Sequence, residues 1–195
     1  MSIGLGFRLA LSAALATGPF PHAPADPACI TMNTKTQPLA TRQSPLDSVS
    51  FTVGGKAVKV CYGRPSLRGR NMLGGEAVPF GKLWRTGANE PTMIHTTGPL
   101  AIAGLKVPAG SYSLYSVPGP SEWVIIVNRS ITQWGEESNY TDRVKAQEVG
   151  RANVKAEATA APVETFTIRA EPPGADATVL VLEWQTTRVR IPLSQ

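Results

Sequence analysis

The chain has 195 residues, a charged fraction of only 17% and a formal net charge of +5. Its length suits one domain with a tail, and a hydrophobic content of 42% excludes disorder throughout the chain. With 18 glycines and 17 prolines, the composition is typical of short strands joined by tight turns.

The positive charge is concentrated in one part of the chain. Residues 48–89 contain seven basic residues and a single acidic one, Glu76, so this segment carries +6 and the remainder sums to −1. Such a concentration attracts anions locally. A nucleic-acid partner is not expected, because the basic segment is compact and lacks a recognised binding motif.

The first residues predict export. Arg8 precedes an apolar run at residues 9–16, and this run ends in an Ala-Leu-Ala triplet resembling a signal-peptidase site. We expect residues 1–28 to be a signal or leader segment and the mature protein to be periplasmic or extracellular. The alternative is a mis-assigned start, with Met32 beginning a leaderless chain. No stretch approaches the roughly 18 apolar residues of a membrane span, so no transmembrane segment is expected.

The region after the leader predicts a flexible linker at residues 29–44, because it has no hydrophobic periodicity. It contains one of the two cysteines, Cys29. Asp26 and Pro27 argue against lipid anchoring at Cys29. The sequence leaves undecided whether Cys29 and Cys61 form a disulfide, since neither their spacing nor their context requires one. A buried free thiol is the simpler interpretation of Cys61.

A single β domain is expected at residues 45–195. The stretch "VSFTVGGKAVKVCY" alternates apolar and polar residues on either side of Gly54-Gly55, which predicts a two-residue β-hairpin. Residues 63–91 hold six glycines and three prolines and no regular period, which predicts a long ordered loop excursion. The apolar side chains expected to anchor it are Met72, Leu73, Val78, Phe80 and Trp84.

Strand patterns return after this excursion. They occur in "TMIHTT", "LAIAG", "GSYSLYSV", "EWVIIVN", "RVKAQEV", "VETFTIRAE", "ATVLVLEW" and "TRVRIPL". A helix over residues 142–160 is the weaker alternative, because the apolar spacing there is irregular. About nine or ten strands without a convincing amphipathic helix predict an all-β fold, an antiparallel β-sandwich or barrel-like domain.

Five stretches in order carry a family resemblance: "SPLDSVSFTVGGKAVKVCYGRPSLRGR", "VPFGKLWRTGANE", "VPAGSYSLYSVPG", "EWVIIVN" and "QWG". From about Ser44 to the C-terminus, the chain resembles the uncharacterised bacterial exported family catalogued as domain of unknown function 2911. The resemblance implies an exported, largely β domain and marks the RPS-x-RGR and WRTGANE stretches as family signatures. It implies no reaction. The chain departs from the family pattern in a longer, Ala-rich segment at residues 152–161.

The excursion also carries the chemistry that favours a binding site. Guanidinium groups are fork-shaped donors suited to carboxylate, sulfate or phosphate, and several on one loop can enclose an anion. The residues predicted to form such a cup are Arg64, Ser66, Arg68, Arg70, Arg85 and Asn89. The alternative is that these arginines pair with acids such as Glu90 and Asp142 and only brace the fold.

Aromatic and acidic side chains extend the predicted ligand surface. Trp84 is predicted to be buried as a hydrophobic plug that fixes the loop, while its neighbours present polar groups to a ligand. Glu90, Tyr112 and Trp134 complete the set. Tyr112 and Tyr115 lie on opposite faces of one strand, so only one of them can line the pocket.

Catalytic groups are sparse in this sequence. The body holds one histidine, His95, and one cysteine, so no metal site or cofactor is expected. A serine triad would need His95 with Ser66, and a glycosidase pair would need Glu90 with Glu136, Glu137 or Asp142. We therefore rank a binding module for a small anionic or glycan ligand first. A structural or protein-interaction domain of the cell envelope is the alternative, and a hydrolase of an acidic saccharide or ester comes third.

Overall fold

The computed structural model describes residues 27–171 and 176–195, so most of the predicted leader lies outside the described residues. Helix is confined there to one short α-helix, α1 (Asp142–Lys145), and two 3-10 helices at Leu39–Thr41 and Glu137–Asn139. The strands are β1 (Leu46–Val53), β2 (Lys56–Gly63), β3 (Thr92–Thr96), β4 (Leu100–Ile102), β5 (Leu105–Val107), β6 (Gly110–Val117), β7 (Glu122–Asn128), β8 (Glu148–Ala170) and β9 (Ala177–Ser194). None of the described helices is long and apolar enough to cross a membrane.

The nine strands of the described chain are hydrogen-bonded in the order β1-β2-β3-β6-β7-β8-β9-β4-β5, and every pair is antiparallel. The predicted all-β class is thereby confirmed. The β1–β2 hairpin is confirmed as well: Val53 pairs with Lys56 across a two-residue turn. Gly54 and Gly55 both have positive φ there, at 51° and 72°, the backbone that such a turn requires.

The last two strands are longer than the sequence indicated. The prediction that "VETFTIRAE" is separate from the strand before it is wrong, because β8 runs through the residues between them. The prediction that "ATVLVLEW" and "TRVRIPL" are separate strands is also wrong, because β9 contains both. Irregular positions absorb the breaks: the β8–β9 register shifts after Ala158, and Gln185 adopts a φ of 56°. The strand predicted at residues 143–149 begins instead at Glu148, after α1.

The long β8 connects two halves of the sheet, one formed by β1, β2, β3, β6 and β7 and the other by β9, β4 and β5. Its first part, from Glu148 to Lys155, pairs with β7, and its second part pairs with β9. Buried side chains of both halves join one core, in which the Tyr62 ring of β2 meets the Phe166 ring of β8 at 5.8 Å. The Tyr62 hydroxyl also donates to the Ile168 carbonyl at 3.3 Å. The two halves therefore share one core, which is consistent with a sandwich or barrel-like domain.

The excursion between β2 and β3 lies on this core. Isolated bridges join Ser66 to Thr165 and Trp84 to Ser116, so the loop is fastened to both halves of the sheet. Four of the predicted apolar anchors are buried: Met72, Leu73, Val78 and Trp84. The fifth, Phe80, is 43% exposed, so its prediction as an anchor is wrong.

The segment before β1, here called the N-terminal arm (residues 27–45), is linked covalently to the domain. Cys29 forms a disulfide with Cys61 of β2, which corrects the interpretation of Cys61 as a free thiol. Nothing in the spacing of 32 residues favoured this pair; folding places the two Cα atoms 5.7 Å apart. Hydrogen bonds to the excursion at Met32, Arg42 and Ser44 add further contacts, so residues 29–44, predicted as a flexible linker, lie against the domain at several points.

Candidate functional site

A buried ion pair holds the arm against the excursion. The Arg42 guanidinium donates to both carboxylate oxygens of Glu90, at 2.7 and 3.1 Å, and the Met32 amide donates to the same carboxylate at 2.6 Å. The side chains of Arg42 and Glu90 are only 2% and 6% exposed. A bidentate pair with further hydrogen bonds is the geometry in which two buried charges can be retained. Glu90 therefore fastens the arm and is closed to a ligand.

The stretch "WRTGANE" forms a tight loop that is anchored by the stacked rings of Trp84 and Trp184. Trp84 stacks on Trp184 of β9, with ring centroids 5.6 Å apart, and its indole donates to the Gly87 carbonyl at 3.1 Å. Trp84 is 4% exposed, in agreement with its predicted role as a plug. Thr86 and Asn89 adopt positive φ angles of 55° and 65°. For the β-branched Thr86 this backbone is strained, and strain of this kind accumulates at functional loops.

Glycines allow the loop to sit directly on the end of β2. A Cβ added at Gly63 would lie 2.1 Å from the Ala88 carbonyl oxygen, and one at Gly135 would lie 2.2 Å from the Asn89 carbonyl oxygen. Gly135 belongs to the "QWG" stretch, and its amide donates to the Asn89 carbonyl at 3.1 Å. Three of the stretches that carry the family resemblance thus converge on residues 87–89.

The close approach at Gly63 has a measurable consequence. Gly63→Ala is expected to lower the free energy of unfolding by about 1–3 kcal/mol, because the new methyl group would push the loop backbone away from β2. Chemical denaturation of both proteins measures the difference. An unchanged midpoint would mean that the loop can shift without cost.

Two of the predicted arginines act as braces. Arg64 pairs with Asp47 at 3.2 Å and donates to the Phe166 carbonyl at 3.3 Å. Arg68 donates to the side-chain and main-chain oxygens of Gln43, both at 3.0 Å. These guanidinium groups join the excursion to β1, to β8 and to the arm. The alternative that arginines brace the fold holds for these two, although their partners differ from the predicted acids.

The other two arginines line a common cleft of about 300 Å³, here called the arginine cleft. Arg70 is exposed and donates to the Leu67 and Ser66 carbonyls at 3.0 and 3.1 Å. Arg85 pairs with Glu137 at 3.0 Å, and this carboxylate also lines the cleft. The remaining lining includes Gln43, Ser44, Asn89, Trp84 and Trp184.

The charge of the arginine cleft is set by three groups. Arg70, Arg85 and Glu137 are the charged residues that line it, so it carries a net charge of +1. Within the described chain, Arg70 has no carboxylate within salt-bridge distance. Tyr115 lies close enough to interact with Arg85 and Glu137, but burial raises its pKa to about 12. Its hydroxyl stays protonated at neutral pH and adds no charge.

The remaining predicted site residues lie elsewhere. Tyr112 is 5% exposed and its hydroxyl donates to the Pro108 carbonyl at 3.0 Å. The Trp134 ring lies 5.8 Å from the Arg42 guanidinium carbon and packs against the arm. Ser66 shares a hydrogen bond with Thr165, whereas the His95 ring contacts Ser111.

These placements bear on the catalytic alternatives. The Ser66 hydroxyl is hydrogen-bonded to Thr165 and the His95 ring to Ser111, so the hydrogen bonds described for these two residues do not join them to each other. Glu90 is sealed beneath the arm and cannot meet a substrate. No cluster of three or more potential metal ligands occurs within residues 27–171 and 176–195.

Sequence reasoning missed several residues that shape the site. Arg42, Gln43 and Ser44 fall in the predicted linker, and no local pattern indicates that they approach the excursion. Trp184 belongs to an alternating strand pattern, so its burial could be inferred, but its stacking on Trp84 could not. From sequence, Glu137 is a candidate only as one carboxylate of a glycosidase pair. All five are brought to residues 84–90 by long-range contacts.

The fold and the cleft define an all-β domain with a disulfide-anchored N-terminal arm and a polar, arginine-lined groove. A model of the family described as "Protein of unknown function (DUF2911)" matches residues 44–193. The chain belongs to this family. No curated protein and no solved structure matches the chain.

Proposed function

We propose that this domain is a binding module for a small carboxylate-bearing ligand of the sugar-acid type, held in the arginine cleft. One observation carries the proposal: a single cleft gathers Arg70, Arg85 and Asn89 beside the Trp84–Trp184 stack. Of the four arginines predicted to bind an anion, only Arg70 and Arg85 belong to the proposed site.

The charges of the cleft favour a singly charged anion. One carboxylate of the protein, Glu137, already neutralises Arg85. Arg70 uses its Nε and one terminal nitrogen on main-chain carbonyls, which leaves the other terminal nitrogen without a partner in the described chain. A guanidinium held in place by two hydrogen bonds is preorganised to donate to a ligand carboxylate.

The size and lining of the cleft favour a sugar acid over a simple ion. About 300 Å³ lies at the lower end of small-molecule sites. The Asn89 amide nitrogen donates to the Ser44 carbonyl at 2.8 Å, so its oxygen is left to accept from a hydroxyl group. A ligand with one carboxylate and several hydroxyl groups matches this combination.

Export to the periplasm or the cell exterior is part of the proposal. A disulfide forms and persists in oxidising compartments, and the Cys29–Cys61 bond supports that location. Mass spectrometry of the protein purified from culture fractions tests it. A mature chain that retains Cys29, beginning at or before this residue, and that is found outside the cytoplasm is expected.

Replacing Arg70 tests the binding site. Arg70→Gln is expected to weaken binding of glucuronate at least tenfold, since a hydrogen bond to a charged group contributes about 1.5–3 kcal/mol. Isothermal titration calorimetry with glucuronate, galacturonate, acetate, phosphate and glucose measures it. Lys82→Gln is the matched control, because Lys82 is an exposed cation of the same excursion outside the cleft.

Two results would overturn the proposal. One is an equal loss of affinity in Arg70→Gln and Lys82→Gln, which would indicate a general charge effect. The other is the absence of binding for the whole panel, in which case the structural role of the arginines becomes the better explanation. Unfolding midpoints of both variants show whether Arg70→Gln remains folded.

A further inference from the structure

A second cleft adjoins the first. It has a volume of about 450 Å³ and lies along the N-terminal arm, and we call it the arm cleft. It shares Gln43, Ser44 and Asn89 with the arginine cleft. The two clefts therefore border the same three residues, along which a two-ring ligand would have to lie.

The lining of the arm cleft is rich in hydroxyl and amide groups. Beyond the shared residues it comprises Thr36, Gln37, Thr41 and Arg42. Arg42 is the only charged residue among them, and its guanidinium is paired with Glu90. The arm cleft thus offers no free charge to a ligand, in contrast to the arginine cleft.

The polar groups of the arm cleft include both acceptors and donors. The Thr36 and Thr41 hydroxyls donate to the carbonyls of Asn33 and Pro38, at 3.2 and 3.1 Å, which leaves their oxygen lone pairs to accept. The Gln43 side-chain oxygen accepts from Arg68, so its amide nitrogen is left to donate. Sugar hydroxyls need both kinds of partner, and a neutral sugar ring needs no counter-charge.

The wall that carries these groups is fixed in position. The Cys29–Cys61 disulfide holds one end of the arm, and the Arg42–Glu90 pair and the Asn89–Ser44 hydrogen bond hold the other end beside the excursion. A preformed wall reduces the entropy lost on binding. The arm is therefore suited to form one side of a binding groove.

We infer that the ligand is an acidic disaccharide or the corresponding end of a longer glycan. Its acidic ring occupies the arginine cleft and its neutral ring occupies the arm cleft. This inference rests on the proposed function, because the acidic ring is the ligand proposed there. The inference adds that the ligand is recognised in two chemically different ways, through charge in the arginine cleft and through neutral hydrogen bonds in the arm cleft.

Calorimetry with matched sugars tests the inference. The probes are glucuronate, the two glucuronate–glucose disaccharides with the acid at either end, and the neutral disaccharide cellobiose. One of the acidic disaccharides is expected to bind roughly tenfold more tightly than glucuronate, since one or two additional hydrogen bonds supply that factor. Cellobiose is expected to bind at least tenfold more weakly than that disaccharide.

Gln37→Ala separates the two halves of the groove. The side chain of Gln37 has no hydrogen bond within the described residues, and its carbonyl, which accepts from Arg42, is kept in the variant. We expect the advantage of the disaccharide to fall about threefold or more, with glucuronate affinity unchanged. Gln147→Ala, at a position outside both clefts, is expected to change neither value.

The outcomes distinguish the inference from the proposed function. If glucuronate binds and neither acidic disaccharide binds more tightly, the arm cleft is not a subsite and the proposed function stands. If Gln37→Ala weakens glucuronate and disaccharide equally, or Gln147→Ala has the same effect, the division into two halves is wrong. If no probe binds, both proposals are overturned.

Discussion

Glu90→Gln is expected to lower the free energy of unfolding by about 3–5 kcal/mol, because it leaves the buried Arg42 guanidinium without its counter-charge. The two side chains are almost fully buried, so water cannot replace the lost partner. Urea denaturation measured with the disulfide intact gives the difference. The intact disulfide matters, because it prevents the arm from swinging away to solvate Arg42.

The pair of Arg151 and Glu148 provides the control, because Arg151 is open to water although Glu148 is only 16% exposed. Arg151 is 43% exposed in its side chain, and an exposed ion pair contributes only about 0–1 kcal/mol, so Arg151→Met is expected to change stability little. The double variant Arg42→Met/Glu90→Leu is expected to recover much of the loss, since no charge is then left buried. A loss below about 1 kcal/mol in Glu90→Gln would contradict a tightly closed arm.

Reduction of the Cys29–Cys61 disulfide is expected to lower the free energy of unfolding by about 3–4 kcal/mol. The bond closes a loop with a sequence separation of 32, and opening it restores conformational freedom to the unfolded chain. Comparing oxidised and reduced wild-type protein in denaturant isolates the cross-link, because the side chains are otherwise unchanged. The variant Cys29→Ala/Cys61→Ala is expected to lose more, since Cys61 is 3% exposed and its removal leaves a cavity.

The disulfide also links stability to binding. The reduced protein is expected to lose the disaccharide preference while keeping most of its glucuronate affinity, because the arm cleft depends on the arm and Arg70 does not. Calorimetry with and without reductant measures both affinities. If the disaccharide binds with the same affinity to the oxidised and the reduced protein, the Arg42–Glu90 pair alone positions the arm.

The candidate site was only partly accessible from sequence. The concentration of arginines in residues 64–85 indicated an anion site, and two of the four, Arg70 and Arg85, do line one cleft. Whether a given arginine meets a carboxylate depends on which strand lies beside it. Arg64 meets Asp47 of β1 because the β1–β2 hairpin brings the two together, and no local spacing encodes that contact.

Local patterns in the sequence determined the all-β class, the Gly54-Gly55 hairpin and the buried role of Trp84, because alternation, turn-forming residues and aromatic burial act over a few residues. Tertiary structure alone decided the Cys29–Cys61 bond, the Arg42–Glu90 pair and the placement of Gln43, Ser44 and Asn89 in the walls of two clefts. Each of these depends on a contact between residues more than 30 positions apart, as the separation of 32 for the disulfide illustrates. Such contacts are favourable only after the sheet has formed, since the cost of closing a long loop must first be offset by the burial of the core.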